Sequence, residues 1–267
     1  MPPSELIQNL IHKLEVGTGS RYLRILVAVL ALLALAFLYD VRAFTNFSTP
    51  EAMDSAQLAR NISEGKGYTT QFIRPFSLYL VQKHNQAKYI ANPTTNAVDF
   101  ADIKTAHPDL ANPPVYPVLL AGLMKVLPFN EKIASERHPP FWTNNEKFWR
   151  YQPDFLIAVF NEIILLVAVW LTFLIARKLF DPGVAWLAAG LMLGCNLLWR
   201  FSVSGLSTML LLVIFLGIIW LILKYEEAAR QPEPDLGRLL RLAVLIGALT
   251  GIGALTRYAF GWVIIPI

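Results

Sequence analysis

The stretch that decides the fold is FLIAVFNEIILLVAVWLTFLIA at residues 155–176, in which Asn161 and Glu162 are the strongly polar positions. A helix rises about 1.5 Å per residue, so about 20 apolar residues cross the hydrocarbon core of a bilayer. Four further apolar segments lie at about 23–39, 183–199, 203–223 and 242–267. The sequence therefore predicts an all-α polytopic membrane protein with about five transmembrane helices.

Composition excludes several classes of protein. Of the 267 residues, 55% are hydrophobic and only 16% are charged, which is too apolar for a soluble domain of this size. The net charge of +4 is small and the basic residues form no stripe, so we expect no nucleic-acid partner. The lone Cys195 excludes an internal disulfide, the four histidines are scattered, and no motif supports a divalent-metal site or another cofactor.

The chain divides by hydropathy into four parts. We expect a cytoplasmic amphipathic N-terminus at 1–22, a first transmembrane helix at 23–41, a long polar loop at 42–154, and transmembrane helices two to five at 155–267. Because the last residues are still apolar, we expect the chain to be the N-terminal part of a larger, truncated protein.

Basic residues near the short loops predict the orientation. If the spans simply alternate, one side of the membrane carries Arg21, Arg24, Arg177, Lys178, Lys224, Arg230, Arg238 and Arg241. The positive-inside rule makes that side cytoplasmic. The protein is then a multi-pass protein of the cell inner (plasma) membrane, in contact with membrane lipid, and its long loop lies on the periplasmic or extracellular side.

The long loop contains predicted amphipathic juxtamembrane helices. Thr49 and Pro50 predict the start of a helix over 51–64, with Gly65 or Gly67 able to take the left-handed conformation after its end. A second apolar stretch at 118–127 is too short to span a bilayer. Residues 141–154 are rich in aromatic side chains, which is typical of the membrane interface.

Two acidic residues at the start of the first loop helix are candidates for chemistry. Glu51 and Asp54 are three residues apart, so they share a helix face, and the helix dipole favours their ionised forms. An ionised carboxylate near the membrane surface can act as a general base. The alternative is that both acids simply stabilise the first helical turn.

Charges inside apolar segments form a second candidate site. Glu162 lies about 10 Å below the outer end of its span, and Arg257 lies about 8 Å from the same edge, counted at 1.5 Å per residue. We therefore expect the two to pair or to face one polar cavity that opens outward. The alternative is that Arg257 extends alone to the interface.

Several segments resemble one family of membrane enzymes. EAMDSAQLAR at 51–60 resembles the acidic motif and following helix in the first external loop of the GT-C superfamily of glycosyltransferases. NPPVYP at 112–117 is similar to the HPPLYP segment of its bacterial protein mannosyltransferase and aminoarabinose transferase group (glycosyltransferase family 39), with Asn112 where histidine is common. ARKLF at 176–180, VAWLAA at 184–189 and LTRY at 255–258 also resemble this group. One departure is Glu51-Ala52, where the family often has Asp-Glu.

The resemblance implies an inverting transferase that moves a sugar from a polyprenyl-phosphate-linked donor to an acceptor hydroxyl at the outer membrane face. The acceptor would be a glycan, a lipid or a protein. The loop 42–154 would be the catalytic loop, with Glu51 or Asp54 as the base. Candidates for binding the donor phosphate or sugar are Arg60, Lys66, Arg74, Tyr116, Arg200 and Arg257, with Tyr68 and Trp149 as further stacking residues. The basic residues could equally position the loop against lipid headgroups.

Two other readings stay open. One is a non-enzymatic polytopic protein, such as part of a transporter or an assembly scaffold, although the sequence shows no internal repeat of the kind that many transporters have. The other is an inactive, truncated homologue of the transferases. The long loop with its acidic motif favours the transferase.

Overall fold

The computed structural model describes residues 18–76, 78–80, 82–83, 86, 107–109, 111–129 and 151–265. Residues 1–17 of the predicted amphipathic N-terminus at 1–22 lie outside the described residues, as do the aromatic residues Trp142, Phe148 and Trp149. The regular secondary structure of the described part is helical apart from one pair of two-residue strands. It divides into two compact units, which meet in sequence between Phe44 and Thr45.

The first unit contains one long helix, α1 (Thr18–Arg42), of 25 residues. It includes the predicted first transmembrane segment at 23–41, so the helical state predicted for that segment is confirmed. Leu26, Leu33 and Phe37 are each more than half exposed. At about 1.5 Å per residue this helix is about 37 Å long. That it crosses a membrane stays a prediction.

The second unit begins with a small group of short helices and strands. It consists of α2 (Pro50–Ser63), β1 (Thr69–Thr70), β2 (His107–Pro108) and α3 (Val115–Val126). The two strands are antiparallel, with Thr69 opposite Pro108. The helices α2 and α3 pack against each other, and Leu58 of α2 and Leu120 of α3 are both fully buried.

The start and end of α2 follow the sequence prediction. Pro50 occupies the first turn, where its missing N–H removes no hydrogen bond. Thr49 stands at the N-cap position, but its hydroxyl makes no capping bond. After the helix, Gly65 and Gly67 both have φ of +77°, a conformation that favours glycine. The second loop helix was also predicted, although it begins at Val115 rather than at residue 118.

Three described helices are long and apolar enough to span a membrane: α4 (Gln152–Leu179), α7 (Thr208–Ala229) and α8 (Leu236–Thr256). A fourth candidate is the pair α5 (Pro182–Leu193) and α6 (Asn196–Ser202), which is bent by 58° between its two helices. An all-α membrane protein is therefore supported with three to four candidate spans among the described residues. The total of five stays a prediction.

The predicted span at 183–199 is broken, and Trp199 is involved in the break. The side chain of Trp199 is buried, and only 1% of it is exposed. Its indole Nε1 donates to the carbonyl of Leu193, the last residue of α5, at 2.7 Å. This bond satisfies a carbonyl that has no partner within its own helix.

The predicted span at 242–267 also differs from the structure. The helix α8 ends at Thr256, Arg257 is extended, and a 3₁₀ segment follows at Tyr258–Ile264. The ring of Phe260 lies where a side chain on Gly253 would be. Glycine therefore allows the segment after α8 to fold back onto the helix.

The apolar helices pack through small and β-branched residues. Ala185 and Ala189 are the buried positions of α5, which contacts α4. Ile214 and Ile218 of α7 form a buried cluster with Ile246 of α8. Small residues let helix backbones approach closely, which is the main source of helix association in lipid.

Basic and acidic side chains meet at one end of the packed helices. Lys178, near the end of α4, forms an ion pair with Glu227, near the end of α7. Lys178 and Lys224 both lie over the ring of Trp220, at 5.5 and 5.2 Å from its centroid. The structure thus brings together basic residues that the sequence assigned to the same membrane side.

Candidate functional site

The helix α2 positions a buried carboxylate at its second turn. Asp54 is fully buried, and Ala52, Ser55 and Leu58 of the same helix are buried as well. Glu51, one turn earlier, is exposed. The two acids that the sequence singled out therefore stand in different environments.

Three side chains donate hydrogen bonds to the Asp54 carboxylate. Thr70 Oγ1 donates to its Oδ1 at 2.5 Å, and Asn112 Nδ2 donates to its Oδ2 at 2.6 Å. Arg74 Nη2 donates to the same Oδ2 and completes an ion pair. The charge of this buried carboxylate is compensated by a guanidinium and by two neutral donors, as a buried ionised group requires.

Asn112 connects Asp54 to a second carboxylate. Its Nδ2 also donates to Asp109 Oδ2 at 2.7 Å, and its backbone N–H donates to the same atom at 3.1 Å. Its Oδ1 accepts from Arg74 Nη2 at 3.3 Å. Because one amide nitrogen bonds both carboxylates, Asp54 and Asp109 lie on either side of Asn112.

Two tyrosines complete this group by bonding the backbone of Asn112. The hydroxyls of Tyr68 and Tyr258 donate to its carbonyl at 2.9 and 3.4 Å. Burial, followed by the nearby carboxylate of Asp109, raises the pKa of Tyr68 above its ordinary value, so this hydroxyl remains a donor. We call this group the Asp54 cluster; its members are Asp54, Tyr68, Thr70, Arg74, Asp109, Asn112 and Tyr258.

The other charged candidates of the loop lie outside the cluster. Lys66 is exposed and forms an ion pair with Glu64 after the end of α2. Arg60 lies at the other end of α2 from Asp54, where its Nη2 donates to Tyr151 Oη at 2.8 Å and its guanidinium lies over the Tyr151 ring.

Tyr116 is enclosed by the protein, so its ring offers no exposed face on which a sugar could stack. It is fully buried at the start of α3, its hydroxyl donates to the carbonyl of Gly205 at 3.0 Å, and it accepts from Asn161 Nδ2 at 2.9 Å. Burial raises the pKa of Tyr116 above its ordinary value. With both hydrogen bonds made inside the protein, this ring joins α3 to α4 and to the turn before α7.

The two basic candidates on later helices form no ion pair with another described residue. Arg200 lies on α6 and Arg257 directly follows α8, and both are exposed. Glu162 is buried in α4, and none of the ion pairs between described residues joins it to Arg257. The predicted direct pair of Glu162 and Arg257 is therefore not present.

Sequence reasoning missed Thr70, Asp109 and Tyr258 as members of the cluster. Tyr258 belongs to the LTRY segment, and Asp109 lies just before NPPVYP, so both were next to recognised segments. No sequence pattern pointed to Thr70, because threonines after a glycine turn are common in loops. Within the described ranges, no group of three histidine, cysteine or acidic side chains could hold a metal ion.

Comparison with known proteins adds no further relative. No protein-family model, no curated protein and no solved structure matches the chain. Any functional conclusion therefore depends on the residues and their geometry, together with the segment resemblances described above.

Proposed function

We propose that this protein is a glycosyltransferase of the GT-C type. It would move a sugar from a polyprenyl-phosphate-linked donor to an acceptor hydroxyl at the outer face of the inner membrane, with inversion. One observation supports this most: three of the segments that resemble the family, at 51–60, 112–117 and 255–258, each contribute to the Asp54 cluster. They are far apart in sequence, so their meeting is not a consequence of local structure.

The two acids have different roles in this proposal. Asp54 already accepts three hydrogen bonds, so it positions Arg74 and Asn112. Glu51 is exposed in the first turn of the same helix, where an acceptor can approach it. We assign to Glu51 the removal of the acceptor hydroxyl proton as that oxygen attacks the sugar C1 and the phosphate leaves.

Arg74 is the candidate for stabilising the departing phosphate. Its Nη2 is bound to Asp54 and Asn112, and its Nε is buried without a hydrogen-bond partner among the described residues. Its side chain is 30% exposed, so a ligand can reach part of it. A guanidinium has five N–H donors and binds phosphate oxygens well.

A transporter is the second candidate, and one observation favours it. The α5–α6 pair is bent by 58°, and broken helices are typical of transporter binding sites. The hydrogen bond from Trp199 to the Leu193 carbonyl spans the break. No charged residue lies between the two helices. A transporter would move a substrate without changing it, so a chemical product separates the two proposals.

The test is transfer of label from a radiolabelled polyprenyl-phosphate sugar pool in membranes that contain the full chain. Label would be counted in lipid, glycan and protein fractions. We expect transfer by the wild type, and a loss of about 100-fold or more in Glu51→Gln, the usual contribution of a general base. Asp54→Asn should lose transfer and also be less stable. Glu64→Gln removes an exposed acid after the other end of α2 and serves as the matched control, with unchanged transfer.

Two results would contradict the proposal. The first is no transfer by the wild type from any common donor, with the protein present in the membrane fraction at normal amount. The second is a Glu51→Gln variant and an Asp54→Asn variant that both transfer as the wild type does. Either result would show that the two acids of α2 have a structural role, and it would favour the transporter as the function of this protein.

A further inference from the structure

A cleft of about 420 Å³ opens on a face of α2 next to the one that holds Asp54. Its walls come from α2, from the two residues after β1, and from the start of α4. The residues that matter for recognition are Gln57, Arg60, Gln71, Phe72, Tyr151 and Asp154. Cavities of this size accommodate small ligands.

The polar groups of the cleft are held in place by other protein groups. Gln57 Nε2 donates to Gln71 Oε1 at 3.2 Å, and Gln57 Oε1 accepts the backbone N–H of Gln71 at 3.2 Å. Asp154 Oδ2 accepts the backbone N–H of Phe47 at 3.0 Å. Arg60 is oriented by its bond to Tyr151. Side chains fixed in this way lose little freedom when a ligand binds.

The chemistry of the lining selects one class of ligand. Arg60 and Asp154 carry opposite charges, so the cleft has no excess of either sign for an anionic or a cationic ligand. Phe72 and Tyr151 offer ring surfaces, while the amides offer both donors and acceptors. A purely apolar ligand would bury the amide donors and acceptors that Gln57 and Gln71 do not use in the hydrogen bonds between them, at a cost of about 1–3 kcal/mol each. A neutral ring with C–H faces and hydroxyl edges satisfies both kinds of group.

We propose that this cleft binds a neutral carbohydrate. Two contacts connect it to the Asp54 cluster. Thr70 Oγ1 lies 3.3 Å from Gln57 Oε1 and donates to Asp54, and the guanidinium of Arg74 lies over the Phe72 ring at 5.9 Å from its centroid. We infer that this carbohydrate is the acceptor of sugar transfer, and that part of the proposal rests on the proposed function. The binding of a carbohydrate to the cleft does not depend on it.

The experiment is saturation-transfer difference NMR on the full chain in a detergent without a sugar headgroup. The probes are the methyl glycosides of mannose, galactose and N-acetylglucosamine, and inorganic phosphate serves as a competitor. We expect saturation transfer to at least one glycoside, unaffected by phosphate. Phe72→Leu, which keeps the apolar volume but removes the ring, should weaken binding about five- to tenfold. Gln71→Ala, at an exposed position, should also weaken it.

Phe76→Leu is the matched control, because Phe76 is half exposed and lies outside the cleft. It should bind as the wild type does. The proposal is overturned if no glycoside receives saturation, if phosphate competes, or if Phe72→Leu and Gln71→Ala both bind like Phe76→Leu. Melting curves of each variant identify any that fail to fold. No turnover is measured, so a failure here is distinct from an absence of sugar transfer.

Discussion

Replacing Arg74 by methionine removes the cation that pairs with Asp54 within the described part of the chain and roughly keeps the length of the side chain. The Asp54 side chain is fully buried and that of Arg74 is 30% exposed. After the change, the carboxylate keeps Thr70 and Asn112 as donors but loses its only ion-pair partner among the described residues.

The expected loss follows from these contacts. Removing one partner of a buried ion pair costs about 3–5 kcal/mol, because the other charge stays buried without compensation. Solvent around the exposed part of Arg74 weakens the pair. We therefore expect Arg74→Met to lower the free energy of unfolding by about 3 kcal/mol. The double variant Asp54→Asn/Arg74→Met has no buried charge to leave unpaired and should recover about 2 kcal/mol of this loss.

The assay is a titration with a denaturing detergent in mixed micelles, followed by tryptophan fluorescence of the full chain. Arg230→Met is the matched control, because its ion pair with Glu226 is largely exposed and should contribute nothing measurable. The reasoning is wrong if Arg74→Met is no less stable than Arg230→Met. It is also wrong if the double variant is less stable than Arg74→Met alone.

Three further predictions concern packing, measured by the same titration. Gly205→Ala should destabilise by about 1–3 kcal/mol, because Gly205 has φ of +75° and the Phe47 ring lies where a methyl group would be. Gly253→Ala should destabilise by a similar amount, about 1–3 kcal/mol, by pushing Phe260 away from α8. Tyr116→Phe should lose about 1–3 kcal/mol, since it leaves a buried carbonyl and a buried amide without their partner.

Each of these predictions has a matched control in the chain. Gly122→Ala and Gly251→Ala add a methyl group into open space within helices, and they should be neutral or stabilising. Tyr79→Phe changes an exposed tyrosine and should leave stability unaltered. Equal effects at Gly205 and Gly122, at Gly253 and Gly251, or at Tyr116 and Tyr79 would contradict the packing described above.

Much of the secondary structure was predictable from the sequence. The helix α2 begins at Pro50 and is followed by left-handed glycines, as composition and local sterics indicated. The apolar helices α4, α7 and α8 occupy the segments that hydropathy selected, although their ends differ. Helix formation and hydropathy depend on neighbouring residues, so a single sequence carries enough information for them.

The helix breaks were not predictable in the same way. The segments 183–199 and 242–267 are both predominantly apolar, yet the chain bends after Leu193 and leaves the helix after Thr256. The bend is closed by Trp199, and the fold-back places Phe260 against Gly253. Each of these contacts depends on how two helical pieces meet, and hydropathy does not report that.

The sequence alone determined that the chain is built from apolar helices with an acidic helix in a polar segment, because periodicity and composition act locally. It also marked Asp54, Arg74 and Asn112 individually. Only the tertiary structure decided that they form one cluster and that Glu51 stands outside it. Asp54 bonds Arg74 and Asn112 across 20 and 58 residues, and Tyr258 reaches Asn112 across 146. Such pairings arise from the packing of α2, α3 and α8, so residue spacing cannot reveal them.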